Sequence, residues 1–283
     1  MASPLAKLDA AQRAFVERWA PGARVVRDHS WGLVDNAVLE IESGAAHFIV
    51  KADGTSTQHI TRELDAHEWW LGPWVTAGRA PRLVAGDRES GVLLTEFLAG
   101  ELVLGTHAQE EPDTFRQAGE LLAILHDQPG RIDASYEATE NAKILRNLDK
   151  EHRIAPRREA ELRELVSAWS AYPVDLVPTH GDWQPRNWLI HDGQVRVIDF
   201  GRAAMRPVLS DWVRLEARDF RADPAREEAF LDGYGTDPRA SDGWFRERLR
   251  EAINTAVWAF QIGDEAFEVQ GHQMIERALA DAP

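Results

Sequence analysis

Hydrophobic and polar positions follow two different periods along the first third of the chain. Apolar residues recur every three or four positions over residues 6–19, which predicts an amphipathic helix that Pro21 and Gly22 end. Short β-branched and aromatic runs then predict four strands, at residues 24–26, 37–42, 46–51 and 92–97. A helical period at residues 59–71 separates the third strand from the fourth. The pattern therefore indicates a small α+β unit.

After Gly100 the helical period dominates. Buried helix faces are predicted at residues 112–127 and near residues 156–169. Two strands, at residues 187–190 and 195–198, are joined by the hairpin turn Asp192-Gly193. Asp242 and Asp264 are predicted to cap the last two helices. We expect an α+β fold with two lobes, a small β-rich lobe at residues 1–98 and a larger, mainly helical lobe at residues 99–283.

The composition excludes several classes of function. The 283-residue chain carries 47 acidic and 32 basic residues, a net charge of −15, which argues against a nucleic-acid partner or an anionic membrane surface. It has neither an apolar run long enough to cross a membrane nor the basic and apolar start of a signal peptide, so we expect a cytoplasmic protein. The absence of cysteine excludes disulfides, thiolate zinc sites and cysteine nucleophiles.

Two polar motifs carry the candidate chemistry: HGDWQPRN at residues 180–187 and VIDFG at residues 197–201. Phosphoryl transfer needs a carboxylate facing the attacking hydroxyl, and oxygen ligands for the magnesium ion that neutralises the nucleotide phosphates. The order of Asp182, Asn187 and Asp199 fits that need. We predict that Asp182 accepts or orients the hydroxyl proton and that Asn187 and Asp199 bind Mg²⁺. His180 is expected to brace the loop by hydrogen bonding.

Together these motifs resemble the aminoglycoside phosphotransferase and choline kinase family, with a likeness that extends over roughly residues 25–265. The resemblance implies a protein-kinase-like fold, with ATP or GTP as phosphoryl donor and Mg²⁺ as cofactor. It further implies that Lys51 holds the α- and β-phosphates, with its ammonium fixed by Glu63 or, failing that, by Glu68. The backbone at Glu96 and Leu98 would hold the adenine, and residues 29–36 would cover the phosphates.

The same resemblance indicates a small acceptor. Gly181 stands where regulated protein kinases carry an arginine that reads a phosphorylated activation loop. Only eleven residues separate Asp199 from Asp211, too few for such a loop and its closing motif. By analogy with the family, Asp211 is expected to hold the catalytic loop.

The resemblance also implies that the substrate side lies after the second metal ligand, at roughly residues 205–283, and in the insert at residues 130–170. Residues 210–283 contain 16 acidic and 9 basic residues, which suits either a solvated surface or a field that attracts cations. Carboxylates beside aromatic rings bind ammonium and guanidinium groups. The candidate acceptor-binding side chains are Trp212, Glu216, Asp219, Trp258 and Asp264.

Four functions remain open on the sequence. The first is ATP-dependent phosphorylation of an aminoglycoside or of a basic peptide antibiotic of the capreomycin and viomycin type, giving resistance. The second is a kinase for choline, a sugar-amine or a hydroxyamino acid. A nucleotide-binding scaffold without activity is a third. A metal-dependent hydrolase with His180, Asp182 and His191 as ligands is a fourth, and it leaves Asn187 and Asp199 unexplained. No feature of the sequence indicates the oligomeric state.

Overall fold

The computed structural model describes residues 4–30, 36–54, 58–241 and 243–282, which fall into two compact units. The first unit combines Met1–Gln128, His180–Ala204 and Ala225–Gly235, and the second takes the remaining segments. The first unit therefore contains both candidate motifs as well as Lys51. The boundary expected between residues 98 and 99 concerns functional lobes and stays a prediction.

An antiparallel five-stranded sheet forms the N-terminal part of the first unit. Its strands are β1 (Arg24–Asp28), β2 (Asn36–Ser43), β3 (Ala46–Asp53), β4 (Leu83–Asp87) and β5 (Val92–Glu96), in the order β1-β2-β3-β5-β4. The four strands predicted from the sequence correspond to β1, β2, β3 and β5, whereas β4 was not predicted. One face of the sheet buries aliphatic side chains against the first helix: Leu8, Val16, Leu39, Ile41, Val50 and Leu94.

The first helix, α1, spans Ala10–Trp19, so the predicted start at residue 6 is wrong. Asp9 begins the helix with a capping box. Its carboxylate accepts the Gln12 amide at 2.8 Å, and the Gln12 side chain accepts the Asp9 amide at 3.0 Å. The Gln12 side-chain amide also donates to the carbonyl oxygens of Asp53 and Ser90, which fixes the helix to the sheet.

The next helices are α2 (Gln58–Trp69) and α3 (Gly72–Thr76). The carboxylate of Asp53, at the end of β3, accepts the Ile60 amide at 3.0 Å and so ties the first turn of α2 to the sheet. Ile60 and Leu64 pack on Leu93 of β5. With this face buried, Glu63 is held towards β3.

The remainder of the first unit comprises β6 (Glu101–Leu102), α4 (Pro112–His126), β9 (Trp188–His191), β10 (Gln194–Val197) and α8 (Pro224–Tyr234). The predicted hairpin is present, with φ of 48° at Asp192 and 72° at Gly193. Gln117 of α4 anchors this hairpin, because its side chain donates to the Gly193 carbonyl at 2.8 Å and accepts the Val195 amide at 3.0 Å.

The second unit is mainly helical. Its elements are β7 (Arg131–Asp133), α5 (Tyr136–Leu148), α6 (Pro156–Ala168), β8 (Val174–Thr179), β11 (Ala204–Arg206), α7 (Val213–Leu215), a π-helical turn (Glu216–Phe220), α9 (Gly243–Ile262) and α10 (Glu265–Ala280). Aliphatic residues of α5, α6, α9 and α10 form its core. The predicted cap at Asp264 is confirmed, since its carboxylate accepts the Phe267 amide at 3.0 Å. The predicted cap at Asp242 lies outside the described residues.

A sheet-containing N-terminal part followed by a mainly helical remainder confirms the predicted fold class. The short strands β6, β7, β8 and β11 were not predicted from the sequence. Among the described residues, no helix combines the length and the apolar character needed to cross a membrane.

Candidate active site

The predicted catalytic loop begins at His180, which is fully buried. Its Nε2 lies 3.1 Å from the Ile198 carbonyl oxygen and its Nδ1 lies 3.3 Å from the Asp182 amide. Nε2 therefore donates and Nδ1 accepts, which is one neutral tautomer. Both ring nitrogens are hydrogen-bonded to backbone groups, so His180 braces the loop, as the sequence predicts.

Aromatic residues inside the two motifs anchor them in the core. Trp183, Trp188 and Phe200 are each fully buried, and Trp183 packs against Trp74 and Trp188 with ring centroids 5.6 and 5.4 Å apart. Each of the three follows directly after a polar site residue: Asp182, Asn187 and Asp199 respectively. Burying the aromatic neighbour fixes the backbone on which each polar side chain stands.

Asp182 itself is almost fully buried, and the side chains of Gln184, Arg186 and Asn187 donate to its carboxylate. Its Oδ1 accepts the Gln184 side-chain amide at 2.5 Å, and its Oδ2 accepts Arg186 Nη2 at 2.6 Å and Asn187 Nδ2 at 3.0 Å. Asn187 Nδ2 also donates to the Asp182 carbonyl oxygen at 2.8 Å. With its nitrogen so fixed, Asn187 keeps Oδ1 without a donor from any described residue.

Lys51 joins the sheet to both Glu63 and Asp199. Its Nζ lies 2.9 Å from each carboxylate oxygen of Glu63 and 3.3 Å from Oδ1 of Asp199. Burial alone would lower the pKa of Lys51, but the two carboxylates outweigh it and the pKa is raised. Burial raises the pKa of Glu63, while the charge of Lys51 lowers that of Asp199. The fallback Glu68 is exposed and instead pairs with Arg88.

Asp199 stands in a strained backbone conformation, with φ of 68°. The left-handed region costs a non-glycine residue about 1–2 kcal/mol, and such strain is often found at functional sites. The residues that follow hold it in place, because Phe200 is buried and the Gly201 carbonyl accepts His59 Nδ1 at 3.0 Å. The side chain of Asp199 remains 55% exposed, open to a ligand.

The segment after β5 exposes part of its backbone. The Phe97 amide donates to the His47 carbonyl at 3.0 Å, and the Phe97 ring stacks on the His47 ring with centroids 4.0 Å apart. Leu98, next along the chain, has an amide that reaches no acceptor among the described residues. The Glu96 side chain pairs with Arg82 and lies at the surface. A backbone donor is thus available where the sequence predicts adenine contacts.

Two oxygen donors in this unit suit a hard cation, namely Asn187 Oδ1 and the carboxylate of Asp199. In the part of the chain that the structure describes, no group of three or more histidine, aspartate or glutamate side chains could hold a metal ion. The hydrolase alternative loses support, because both nitrogens of its proposed ligand His180 are engaged. Of the predicted phosphate-covering stretch, residues 31–35 lie outside the described residues.

The five candidate acceptor-binding residues belong to the second unit. Trp212 is fully buried, with the Arg239 guanidinium 5.5 Å from its ring, and Asp219 is buried as well. Their burial gives no support to a contact with the acceptor, and their predicted roles stay predictions. Asp264 caps α10, Trp258 packs edge-on against Phe267, and Glu216 pairs with Arg221 at 2.5 Å and with Arg248 at 3.7 Å.

The carboxylate of Glu216 is therefore neutralised by arginines, which weakens its predicted contact with a cation. Glu216 lines a small open pocket together with Arg221, Arg248 and Arg277. The predicted roles of Glu216, Trp258 and Asp264 stay predictions. Asp211, also in this unit, is buried.

Sequence reasoning missed Gln184 and Arg186, which donate to Asp182 alongside Asn187. The available signal was spacing: Arg186 follows Asp182 by four residues, and the short 3₁₀ turn Pro185–Asn187 brings the two side chains together.

Comparison with known proteins adds to this geometry. The profile of the phosphotransferase enzyme family matches residues 25–248. A comparison with curated protein sequences returns no match. Among solved structures, choline kinase LicA from Streptococcus pneumoniae is similar at 16% identity, with a TM-score of 0.67 over 96% of this chain and 98% of that one.

Two antibiotic-modifying enzymes are similar as well. Macrolide 2'-phosphotransferase MphH from Brachybacterium faecium, as apoenzyme, is 16% identical, with a TM-score of 0.58 over 95% of this chain and 98% of its own. A thermostable mutant of aminoglycoside phosphotransferase APH(4)-Ia, in ternary complex with ADP and hygromycin B, is 10% identical, with a TM-score of 0.69 over 96% and 98%. At these identities the likeness concerns the fold.

Proposed function

The chain belongs to the phosphotransferase enzyme family, and from this premise we propose that it transfers the γ-phosphoryl group of ATP to a hydroxyl of a small cationic molecule. One observation carries the proposal. Lys51 contacts Asp199, 148 positions further along the chain, in the same compact unit as Asp182 and Asn187. Groups that would hold phosphates, metal and hydroxyl thus come from distant segments, which is how phosphoryl-transfer sites are built.

Each residue has a distinct task in this reaction. The Lys51 ammonium, fixed by Glu63, would bind the α- and β-phosphates, and the backbone at Glu96 and Leu98 would hold the adenine. In this account residues 1–98 form the nucleotide-binding lobe, and residues 99–283 form the catalytic and substrate-binding lobe.

Asp182 would orient the acceptor hydroxyl and take its proton. The hydroxyl oxygen forms a bond to the γ-phosphorus while the bond from that phosphorus to the β,γ-bridging oxygen breaks. The electron pair of the broken bond leaves on ADP.

The donor set of Asn187 and Asp199 fits Mg²⁺, since it offers one free amide oxygen and one exposed carboxylate whose pKa is lowered by Lys51. When bound, Mg²⁺ neutralises the charge of the nucleotide phosphates. The carboxylate of Asp199 is exposed enough to be reached by such an ion.

For the acceptor we propose an aminoglycoside or a basic peptide antibiotic, so that phosphorylation gives resistance. The support is the charge of the chain, −15 overall, with 16 acidic against 9 basic residues in residues 210–283. The likeness to an aminoglycoside phosphotransferase in complex with hygromycin B is in line with this. A kinase for choline, a sugar-amine or a hydroxyamino acid is the second candidate, favoured by the likeness to choline kinase LicA.

The charge also supports the absence of a nucleic-acid partner. We propose a cytoplasmic location, because the phosphoryl donor is found there.

A product screen tests the proposed reaction. The purified chain is incubated with Mg²⁺, with ATP or GTP, and with aminoglycosides, a capreomycin-type peptide, a macrolide, choline and amino sugars. We expect ADP release together with a gain in acceptor mass of one phosphate for a cationic acceptor. No phosphorylated product from any acceptor with either nucleotide would contradict the proposal. Growth of a sensitive bacterium that expresses the chain, under the same antibiotics, separates resistance from metabolism.

A further inference from the structure

The Oδ2 atom of Asp182 has no position left for a substrate hydroxyl while Arg186 and Asn187 both donate to it. An ionised carboxylate accepts about four hydrogen bonds, two at each oxygen. Both positions on Oδ2 are taken, by Arg186 at 2.6 Å and Asn187 at 3.0 Å, and Oδ1 already accepts Gln184. These donors compete with the hydroxyl that the proposed reaction requires. One of them must leave Oδ2 if the hydroxyl is to approach that oxygen.

Arg186 is the donor that is free to move. Gln184 and Asn187 are buried, with 5% and 4% of their surfaces exposed, and Asn187 is tied a second time to the backbone of Asp182. The side chain of Arg186 is 39% exposed and contacts Asp182 through Nη2 alone. Its remaining N–H groups reach no acceptor among the described residues. Moving Arg186 therefore breaks one ion pair and disturbs no packing in the core.

The positive charge of Arg186 would balance negative charge in the site. The charge of Lys51 is already shared between Glu63 and Asp199. The loop side of the site carries the carboxylates of Asp182 and Asp199, and a nucleotide brings further negative charge. A guanidinium binds phosphate oxygens with two parallel hydrogen bonds, which a lysine cannot do. In the chain, Arg186 lies between Asp182, the proposed base, and Asn187, a proposed metal ligand.

We propose that Arg186 is a catalytic residue that moves from Asp182 to the transferred phosphoryl group when the nucleotide binds. The same movement frees Oδ2 of Asp182 for the acceptor hydroxyl. The inference rests on the proposed function. Arg186 thereby couples the arrival of the γ-phosphate to the exposure of the base.

Three variants test this role: Arg186→Gln, which keeps a hydrogen-bond donor without the charge; Arg186→Lys, which keeps the charge; and Arg24→Gln, a control on exposed β1. Affinities are measured for ADP and for a non-hydrolysable ATP analogue, without acceptor. We expect Arg186→Gln to bind the ATP analogue about tenfold more weakly and ADP within about twofold of the unaltered protein, because only the former carries a γ-phosphate. Its kcat should fall by about 10²–10³-fold, and Arg186→Lys should recover part of both losses.

The outcomes distinguish the role of Arg186 from the proposed phosphotransferase function. A fall in kcat with an unchanged ratio of ATP-analogue to ADP affinity would mean that Arg186 only orients Asp182, and would overturn the phosphoryl contact. Circular dichroism checks folding. If Arg186→Gln is unfolded, an Arg186→Lys variant with unaltered kcat and affinities would overturn the inference. Failure of the unaltered protein to bind either nucleotide would overturn the proposed function and the inference with it.

Discussion

Lys51 Nζ lies at the same distance, 2.9 Å, from both carboxylate oxygens of Glu63. The symmetric contact joins β3 to α2, and Lys51 extends it to Asp199 at 3.3 Å. Only 3% of the Glu63 side chain is exposed, so its charge depends on this lysine for compensation. The pair thus fixes the orientation of the ammonium that we assign to the nucleotide phosphates.

Replacing Glu63 with Gln should disable phosphoryl transfer, while Glu68→Gln should not. The first change leaves Lys51 with Asp199 as its remaining carboxylate, so the ammonium is drawn towards the predicted metal ligand. We expect kcat/KM to fall at least about tenfold for Glu63→Gln, since the lysine–glutamate pair must be in place for transfer. Glu68 is exposed and pairs with Arg88, so its variant should stay within about twofold. Equal effects of the two changes would refute the assignment.

Asn187→Ala should raise the Mg²⁺ requirement. The change removes the free Oδ1 and the two hydrogen bonds from Nδ2 that hold Asp182. The Mg²⁺ concentration for half-maximal activity should increase by about 10-fold or more. The matched control is Asn147→Ala, whose side chain donates to Asn254 in the second unit. An unchanged Mg²⁺ titration for Asn187→Ala would argue against Asn187 as a ligand.

His67 should make stability depend on pH. Burial, helped by the charge of Lys51, lowers the pKa of His67 to about 4 from an ordinary value of 6.5. The unfolded chain therefore takes up a proton below pH 6.5 that the folded protein does not. The stabilising effect of the neutral ring is complete above pH 6.5 and is lost as the pH falls towards 4, on the order of 3 kcal/mol.

Urea unfolding at a series of pH values checks this sign. His67→Leu should flatten the loss of unfolding free energy between pH 6.5 and 4, whereas His107→Leu, at an exposed histidine, should keep the slope of the unaltered protein. A His67→Leu profile parallel to that of the unaltered protein would count against a buried neutral His67.

Gly233 should resist replacement because α4 and α8 pack backbone to backbone there. A Cβ at Gly233 would lie 1.9 Å from the Arg116 carbonyl oxygen. Gly233→Ala should lower the free energy of unfolding by about 1–3 kcal/mol, although alanine favours a helix by about 1 kcal/mol. Gly72→Ala is the control, because its Cβ would meet nothing within 4 Å. Urea denaturation measures both, and a Gly233→Ala protein as stable as the original would disprove the close packing.

The sequence predicts the parts of the fold that have long, regular patterns. The predicted strands at residues 37–42 and 46–51 correspond to β2 and β3, and the hairpin after Asn187 was placed correctly through Asp192-Gly193. The start of α1 was missed by four residues, because apolar spacing does not distinguish the 3₁₀ turn Pro4–Lys7 from the helix that Asp9 caps. Short strands such as β6 form through tertiary pairing that no local pattern encodes.

The residues of the predicted site likewise include some that the sequence identifies and some that it does not. Asp182, Asn187 and Asp199 could be selected from their order and spacing in the sequence, whereas Lys51 was selected through the resemblance to the family. The sequence left open whether Trp212 lies in the core, since an indole among acidic residues has the same sequence pattern in the core and at the surface. Arg186 was overlooked although it follows Asp182 by four residues, because that spacing gives a contact only through the turn Pro185–Asn187.

Asp182→Asn tests the central claim most directly. The substitution keeps the shape of the side chain and removes the carboxylate that we assign to the hydroxyl proton. Transfer of phosphate from ATP to the acceptor found in the product screen is followed by acceptor mass, and nucleotide affinity is measured on the same protein. We predict a loss of kcat of about 10²–10⁴-fold, with ATP affinity within a few-fold of the unaltered protein. Phosphoryl transfer at the unaltered rate by Asp182→Asn would contradict the account.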